Sequence, residues 1–326
     1  MNIVDALLLK DLKGVGDTTI LKLLKFSKVN KIKTIEELIP AINKSGTLKR
    51  IPKSITQLLD TDDYQDQKIS IEHRMKEWDK NNIVAIHLCS DFYPKRLLSL
   101  ESPPPFLFCK GNISLLEEAK AIAIIGTRNN TKRGAIIATK TTEAFGNFGF
   151  TIVSGLALGI DTIAHRSALD NGSPTIAVLV DVLNVSPTSN KKLAEEIIYN
   201  GGLLVSENIP GISVIPALFA KRDRIQSGLS TAVFAIETSK DGGTMHAVRY
   251  SELMKRPIFV PDADAAKYSD LNIKEIEGTQ YLANTGIAKL YTSDSYEKIA
   301  NKLTNLADEI SMNNTAIPQK QGKLLF

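Results

Sequence analysis

Disulfide and zinc chemistry have little to draw on here: the 326 residues contain two cysteines, Cys89 and Cys109, and neither belongs to a CxxC pair. They read as reduced thiols packed against a sheet, which suits a cytoplasmic compartment. Long apolar runs are missing too, so no bilayer-spanning segment and no membrane partner are expected. Met1-Asn2-Ile3-Val4-Asp5 lacks the basic-then-apolar layout of a signal peptide. A strong charge bias is also lacking. The formal net charge is +4, which permits a nucleic-acid partner without demanding one, so the placement of the cations has to decide. Neither a GxGxxG fingerprint nor a Walker A loop occurs. That weakens the case for a dinucleotide enzyme or a P-loop NTPase, and no cofactor or metal is expected. Internal repeats are absent.

What is present divides into two regimes. Residues 1–70 read as a small helical domain. Ala6–Leu9, Leu12 and Ile20–Leu24 repeat at helical spacing around Gly14-Val15-Gly16, a tight turn similar to a helix-hairpin-helix element. An ordinary helix–helix turn explains the same residues equally well. From 71 to 305 the pattern becomes strand–helix alternation. Ile83–Ile86 is a strand, and Pro103-Pro104-Pro105 delivers an extended segment into Phe106–Phe108. Ala123–Ile125, Thr151–Val153, Thr175–Leu179, Gly202–Val205, Ala232–Ile236 and Pro257–Val260 are short, almost continuous apolar runs, as strands covered on both faces require. Helical segments such as 134–148 and 193–200 separate them. The expected fold is therefore α/β, with a doubly wound, mostly parallel sheet following a small all-helical domain. Residues 306–326 read as a polar tail.

Ligands in such sheets gather at the carboxyl ends of the strands, and four constellations fall there. Gly126-Thr127-Arg128, with Lys132 nearby, joins a strand to a helix, where backbone N–H groups and a guanidinium suit a phosphate. A plain turn with a solvated arginine is the simpler reading. Ser154-Gly155 continues to Asp161 and His165. Asp161 is placed to cap a helix and His165 to share its face, so both are expected to support the loop rather than bind metal. Phe219-Ala220-Lys221-Arg222-Asp223-Arg224 groups three cations and an aromatic around one carboxylate, a combination suited to a phosphate backbone with a stacked base. A solvated, self-paired helix start is the competing explanation. Glu237 followed by Gly242-Gly243-Thr244 makes another strand–loop–helix junction.

Taken in order, these residues resemble the DprA/Smf family of DNA-processing proteins. The resemblance runs from about Trp78 to Leu290. It rests on Tyr93-Pro94, Leu97, Pro103–Pro105, Lys110-Gly111, Gly126-Thr127-Arg128, Ser154-Gly155 to Asp161, Ala164-His165, Ser206-Glu207, Pro210, Phe219, Arg222, Arg224, Leu229-Ser230, Glu237 and Gly243. It implies an extended Rossmann-like fold, a homodimer, and binding of single-stranded DNA without turnover, with help in loading a RecA-type recombinase. Carried over by motif, the DNA- and phosphate-binding residues are Gly126, Thr127, Arg128, Ser154, Gly155, Arg222, Arg224, Gly243 and Thr244, with Phe219 and Lys221 flanking them; Lys132, from the residues themselves, adds charge nearby. Asp161, His165, Glu207 and Glu237 support the loops.

The chain departs from the family where Asp223 interrupts the arginines, where Val180-Asp181-Val182 replaces a glycine-containing loop, and where no winged helix follows. A divergent member is expected, with a role in phage defence as one option. The alternative function is a nucleotide-binding or nucleotide-hydrolysing sensor, since Gly242-Gly243-Thr244 and Glu252 loosely echo phosphoribohydrolases of the same fold branch. The terminal Gln321-Gly322-Lys323-Leu324-Leu325-Phe326 resembles a sliding-clamp-docking peptide anchored by Gln321, Leu324 and Phe326.

Overall fold

The computed structural model describes residues 1–46, 51–267 and 274–313. The expected clamp peptide, Gln321 to Phe326, lies outside them. Two compact units emerge.

The first unit is Met1–Tyr93 with Pro104–Phe108. It holds helices α1 (Ile3–Asp11), α2 (Asp17–Val29), α3 (Ile35–Ser45), α4 (Lys53–Thr56) and α5 (Tyr64–Lys80), strand β1 (Ile83–His87), and the first half of β2 (Phe106–Gly111). Leu7, Leu8, Leu9, Ile20, Leu23, Leu24 and Leu38 are buried, as the helical spacing requires. Gly14 takes φ +82° in the α1–α2 turn, a conformation glycine adopts without strain. Asp5 is fully buried and ties the bundle together. Its carboxylate accepts from the Ile35 N–H at 2.9 Å and pairs with Lys68 at 3.3 Å. The break expected at 70 falls inside α5, because Tyr64, Ile71 and Trp78 recur every seven residues along one buried face. Trp78 then meets Phe108 edge-on at 5.2 Å, which carries this unit past the helices into the strands.

The second unit comprises Pro94–Pro103 and, among the described residues, the chain from Cys109 to Asn313. Its elements alternate as the apolar runs foretold: β3 (Ala121–Ile125), α6 (Lys132–Asn147), β4 (Thr151–Ser154), α7 (Ile160–Asp170), β5 (Thr175–Val178), α8 (Lys191–Tyr199), β6 (Leu203–Ser206), α9 (Pro216–Gly228), β7 (Ala232–Ala235), α10 (Thr244–Leu253), β8 (Ile258–Pro261), α11 (Lys274–Asn284), β9 (Lys289–Tyr291) and α12 (Tyr296–Asn313). The strands lie in the order β6-β5-β4-β3-β7-β8-β9, and each neighbouring pair is parallel. The α/β, doubly wound reading therefore holds. Helix α12 runs through Asn313, beyond the start expected for the tail.

Both faces of this sheet are covered. Ile122, Ile124, Ile152, Phe234 and Phe259 face Phe145, Ala164, Ala168 and Leu303 of the helices α6, α7 and α12. Phe145 and Phe234 approach to 4.7 Å, and Phe234 stacks on Phe259 at 4.9 Å. Each such ring, fully buried, stabilises the fold by about 1.5–3 kcal/mol. On the opposite face Ala235, Ile258 and Val260 meet Val248 of α10 and Leu282 of α11. Arg256 locks the second unit further. Its Nη1 donates to the carbonyls of Ser227, Gly228 and Ser230 at 2.6–2.7 Å, and its Nη2 donates to the Arg96 carbonyl at 2.8 Å.

The chain winds outward from β3 to β6, then returns to β7 beside β3 and winds the other way. The crevice at the carboxyl ends of β3 and β7 is thus the point where the winding reverses, the place where open α/β sheets accept ligands.

Candidate nucleic-acid interface

A cavity of about 440 Å³ occupies that crevice. Gly126, Thr127 and Arg128 follow β3; Ala157 and Asp161 follow β4; Thr238, Ser239, Gly242, Gly243 and Thr244 follow β7. One face of α9 closes it with Pro216, Phe219, Arg222, Asp223 and Gln226, and His246 and Ala247 of α10 complete the wall. Members of all four constellations picked out in separate parts of the sequence thus meet in one hollow, the second through Asp161.

Arg128 is exposed, and its guanidinium lies 5.8 Å from the centroid of the Phe219 ring. This cation beside an aromatic face makes a platform suited to a planar base with a phosphate alongside. Gly243 opens α10, and a Cβ placed on it would meet nothing within 4 Å, so the backbone there stands open to the cavity. The positive end of the α10 dipole faces the same space.

Other expected ligands do different work. The start of α6 is already capped. Thr131 accepts from the Gly134 N–H at 2.9 Å, and the buried carboxylate of Glu237 accepts from the Thr131 N–H and hydroxyl at 2.9 and 2.6 Å. Glu237 therefore sits where an external anion would have to bind. A Cβ on Gly134 would lie within 3.0 Å of that carboxylate, which explains the glycine. Lys132 is exposed on the first turn of α6 and does not line the cavity. The Thr127 N–H is spent on the Glu237 carbonyl at 2.7 Å. Ser154 is buried and donates to the Ile124 carbonyl at 2.7 Å, bracing β4 against β3.

Helical period divides the basic cluster of α9. Phe219, Arg222, Asp223 and Gln226 recur at i, i+3, i+4 and i+7 and face the cavity. Lys221 and Arg224 point elsewhere, and both reach Glu207, Lys221 at 3.3 Å and Arg224 through a very short ion pair. Arg224 also donates to the Ser102 carbonyl at 2.8 Å. Arg224 is 7% exposed and does not line the cavity, so it fastens α9 to the segment before it.

Arg222 lines the cavity but is itself committed. It is buried, its Nη1 donates to the Val178 carbonyl at 2.6 Å, and its Nε lies 3.2 Å from Asp223 Oδ1. Gly155 passes so close that any Cβ would overlap the guanidinium. Asp161 accepts from the Gly155 and Ala157 N–H groups at 3.1 and 3.4 Å, so it shapes the loop after β4. Burial pushes its carboxyl upward, against the pull of Arg222. Burial likewise raises Asp223 to about 7, with Arg222 opposing and Asp161 reinforcing the shift. His165 is fully buried beside Thr175 at 2.8 Å. Burial and the Arg222 charge lower it to about 3, so it is a neutral strut.

Sequence reasoning found no role for Val180-Asp181-Val182. Asp181 is buried, and its carboxylate accepts from Leu183 N–H at 2.8 Å, Asn184 Nδ2 at 3.0 Å and Gly211 N–H at 3.0 Å. The Asp181 side chain thus stitches this loop to Gly211. Gln226 was also missed, although the helical spacing from Phe219 pointed to it.

Gly159 makes the sharpest demand on the backbone. Its φ is +78°, and a Cβ would fall within 3.0 Å of the carbonyl oxygens of Thr127 and Arg128. Gly159→Ala is expected to cost about 1–3 kcal/mol. Urea unfolding measures this, and an unchanged midpoint would mean the loop relaxes freely.

The architecture defines a Rossmann-like α/β protein with a cavity at the reversal of winding, where Arg128, the Phe219 ring and the open start of α10 come together. The chain belongs to the DNA recombination-mediator protein A family, whose model matches residues 84–304. It is 36% identical over 228 residues to the DNA processing protein DprA of Streptococcus pneumoniae, covering 69% of this chain and 76% of that one. It is 34% identical over 221 residues to the protein Smf of Synechocystis, covering 64% of this chain and 55% of that one. The crystal structure of the Streptococcus pneumoniae DprA superposes with a TM-score of 0.72 at 27% identity, covering 91% of this chain and 96% of that one. A structure of Helicobacter pylori DNA processing protein A, described for its single-stranded DNA binding mode, superposes with a TM-score of 0.59 at 28% identity, covering 68% and 96% respectively. Among the described residues no helix is long and apolar enough to cross a membrane.

Proposed function

We propose that this protein binds single-stranded DNA in the cavity between β3 and β7, as an accessory in DNA processing that performs no turnover. The observation that carries the reading is the convergence of exposed Arg128, the Phe219 ring and the open start of α10 on one hollow. Arg128 supplies the mobile cation, Phe219 the stacking face, and the amides near Gly243 and Thr244 the phosphate seat. Gly126 and Gly155 keep the backbone close, while Arg222, Asp161, Glu237 and Glu207 hold the walls. Kinship with DNA processing proteins, one of them described for its single-stranded DNA binding mode, supports this assignment.

The finer role extends this reading, with the terminal peptide as a separate element of it. The protein acts as a homodimer in the cytoplasm, shields single strands and hands them to a RecA-type recombinase, and its last residues from Gln321 to Phe326 dock on a sliding clamp. Co-purification with each partner, with and without Gln321–Phe326 for the clamp, tests these steps.

Fluorescence anisotropy with a labelled oligonucleotide across a salt series tests the central claim. Arg128→Ala is expected to weaken binding by about tenfold or more and to flatten the salt slope by about one phosphate's worth. Unfolding should scarcely change, because the residue is exposed. Equal affinity for mononucleotides and oligonucleotides would instead favour a nucleotide sensor.

A further inference from the structure

We propose that the floor of the cavity, where Asp223 and Gln226 meet, seats the edge of one nucleobase presenting two adjacent N–H donors, as guanine does. This rests on the single-strand reading above and adds base preference to it.

Asp223 and Gln226 stand three residues apart on the cavity face of α9. Gln226 is 3% exposed, and its Nε2 donates to Asp223 Oδ1 at 2.8 Å. An ionised carboxylate has no proton to give, so this bond fixes which way the amide points. The amide carbonyl, Oε1, is then buried with no hydrogen-bond partner among the described residues. Native proteins leave few buried acceptors in that state, and a ligand is one way to satisfy one. Asp223 has a matching vacancy. Its Oδ1 accepts from Gln226 and lies in an ion pair 3.2 Å from the Arg222 Nε, whereas Oδ2 receives no protein hydrogen bond among the described residues. The side chain keeps 14% exposure, so that oxygen remains reachable from the cavity.

The floor therefore holds two acceptors without protein hydrogen bonds among the described residues, Asp223 Oδ2 and Gln226 Oε1. Guanine sets its N1–H beside its N2 amino group and meets both. Thymine has one imino N–H between two carbonyl oxygens, which would face acceptors. Adenine and cytosine each place a ring acceptor beside the amino group, so one contact would repel. Phe219 supplies the planar wall that orients a base toward this floor, with Arg128 alongside. The elevated ionisation range of Asp223 adds a signature: the acceptor pair is complete above about pH 7 and loses one lone-pair site to a proton below it.

The test compares two labelled thymine-rich oligonucleotides of equal length at alkaline pH. One carries a few isolated guanines, and the other has hypoxanthine at the same positions, which removes only the N2 amino group. The wild-type protein is expected to prefer the guanine strand by about five- to tenfold. That ratio should fall toward one in Gln226→Leu and in Asp223→Asn, and toward one in wild type as the pH drops below about 6. Tight but equal binding of both strands would overturn the base seat while leaving the single-strand reading intact. A preference that persists in both variants would overturn it equally. Failure to bind any oligonucleotide would overturn the single-strand reading and this inference with it.

Discussion

Arg222→Ala is expected to destabilise the protein by about 3–5 kcal/mol, the cost of breaking a buried ion network by removing its cation. Arg222 is 5% exposed and its charge opposes the upward shift that burial imposes on two carboxyls, Asp161 and Asp223. Without it both carboxylates keep their burial and lose their counter-charge. The Val178 carbonyl loses its 2.6 Å donor, and Gly155 is left beside a void. A lysine would restore the charge but not the planar fork that reaches Val178 and Asp223 together. Against a typical stability of about 5–15 kcal/mol the loss is large. It should also be smaller at acid pH, where the orphaned carboxyls take up protons and shed their charge. Urea midpoints at two pH values measure this. A wild-type midpoint in the variant would mean the guanidinium is a ligand group with no structural duty. Arg128→Ala gives the contrasting result, losing binding with little change in unfolding, so the two arginines separate support from contact.

That separation marks what the sequence could and could not convey. Strands such as Ala232–Ala235 were legible because a sheet covered on both faces needs uninterrupted apolar runs, and their carboxyl ends pointed to the right loops. The convergence of Gly126–Arg128, Phe219 and Gly243 in one cavity follows from where the winding reverses. The division of α9 was also encoded, since Phe219, Arg222, Asp223 and Gln226 share one helical face while Lys221 and Arg224 lie off it. Seeing it required treating the cluster as a helix rather than as a patch of charge. The Glu237 cap on α6 was not legible. It depends on a carboxylate more than a hundred positions away in the chain filling the space left by the missing side chain of Gly134. The Arg256 clamp was hidden for the same reason, because its acceptors are backbone carbonyls, which have no sequence signature.

Single-strand affinity is expected to fall as the pH rises from about 6 to 8, and Asp223→Asn is expected to abolish most of that dependence while binding more tightly at the alkaline end. Burial, the dominant cause, raises the Asp223 carboxyl to about 7 from the ordinary 3.8. Below that range the group is neutral and the cavity keeps the full charge of Arg128 and Arg222. Above it a carboxylate faces the incoming phosphates. At about 6 Å, with an effective dielectric between about 20 and 80, one such charge is worth about 1–3 kcal/mol, or roughly five- to a hundredfold in affinity. The groups facing Asp223 are Arg222 and Gln226 on its own helix, Asp161 of α7, and Arg128 after β3, with His246 of α10 also on the cavity wall. Guanidinium groups keep their charge across this range. Comparing the protein with and without the Asp223→Asn substitution, both in a His246→Gln background, removes the imidazole as a variable and reads Asp223 together with its coupling to Asp161. Folding gives an independent check on the sign. A carboxyl whose folded value is raised contributes stability that is complete below about pH 4 and is lost as the pH climbs through about 7. The asparagine variant should therefore gain stability relative to wild type toward about pH 8. Parallel pH profiles for the two proteins, in both binding and unfolding, would show that Asp223 stays ionised throughout and that the cavity tolerates its charge.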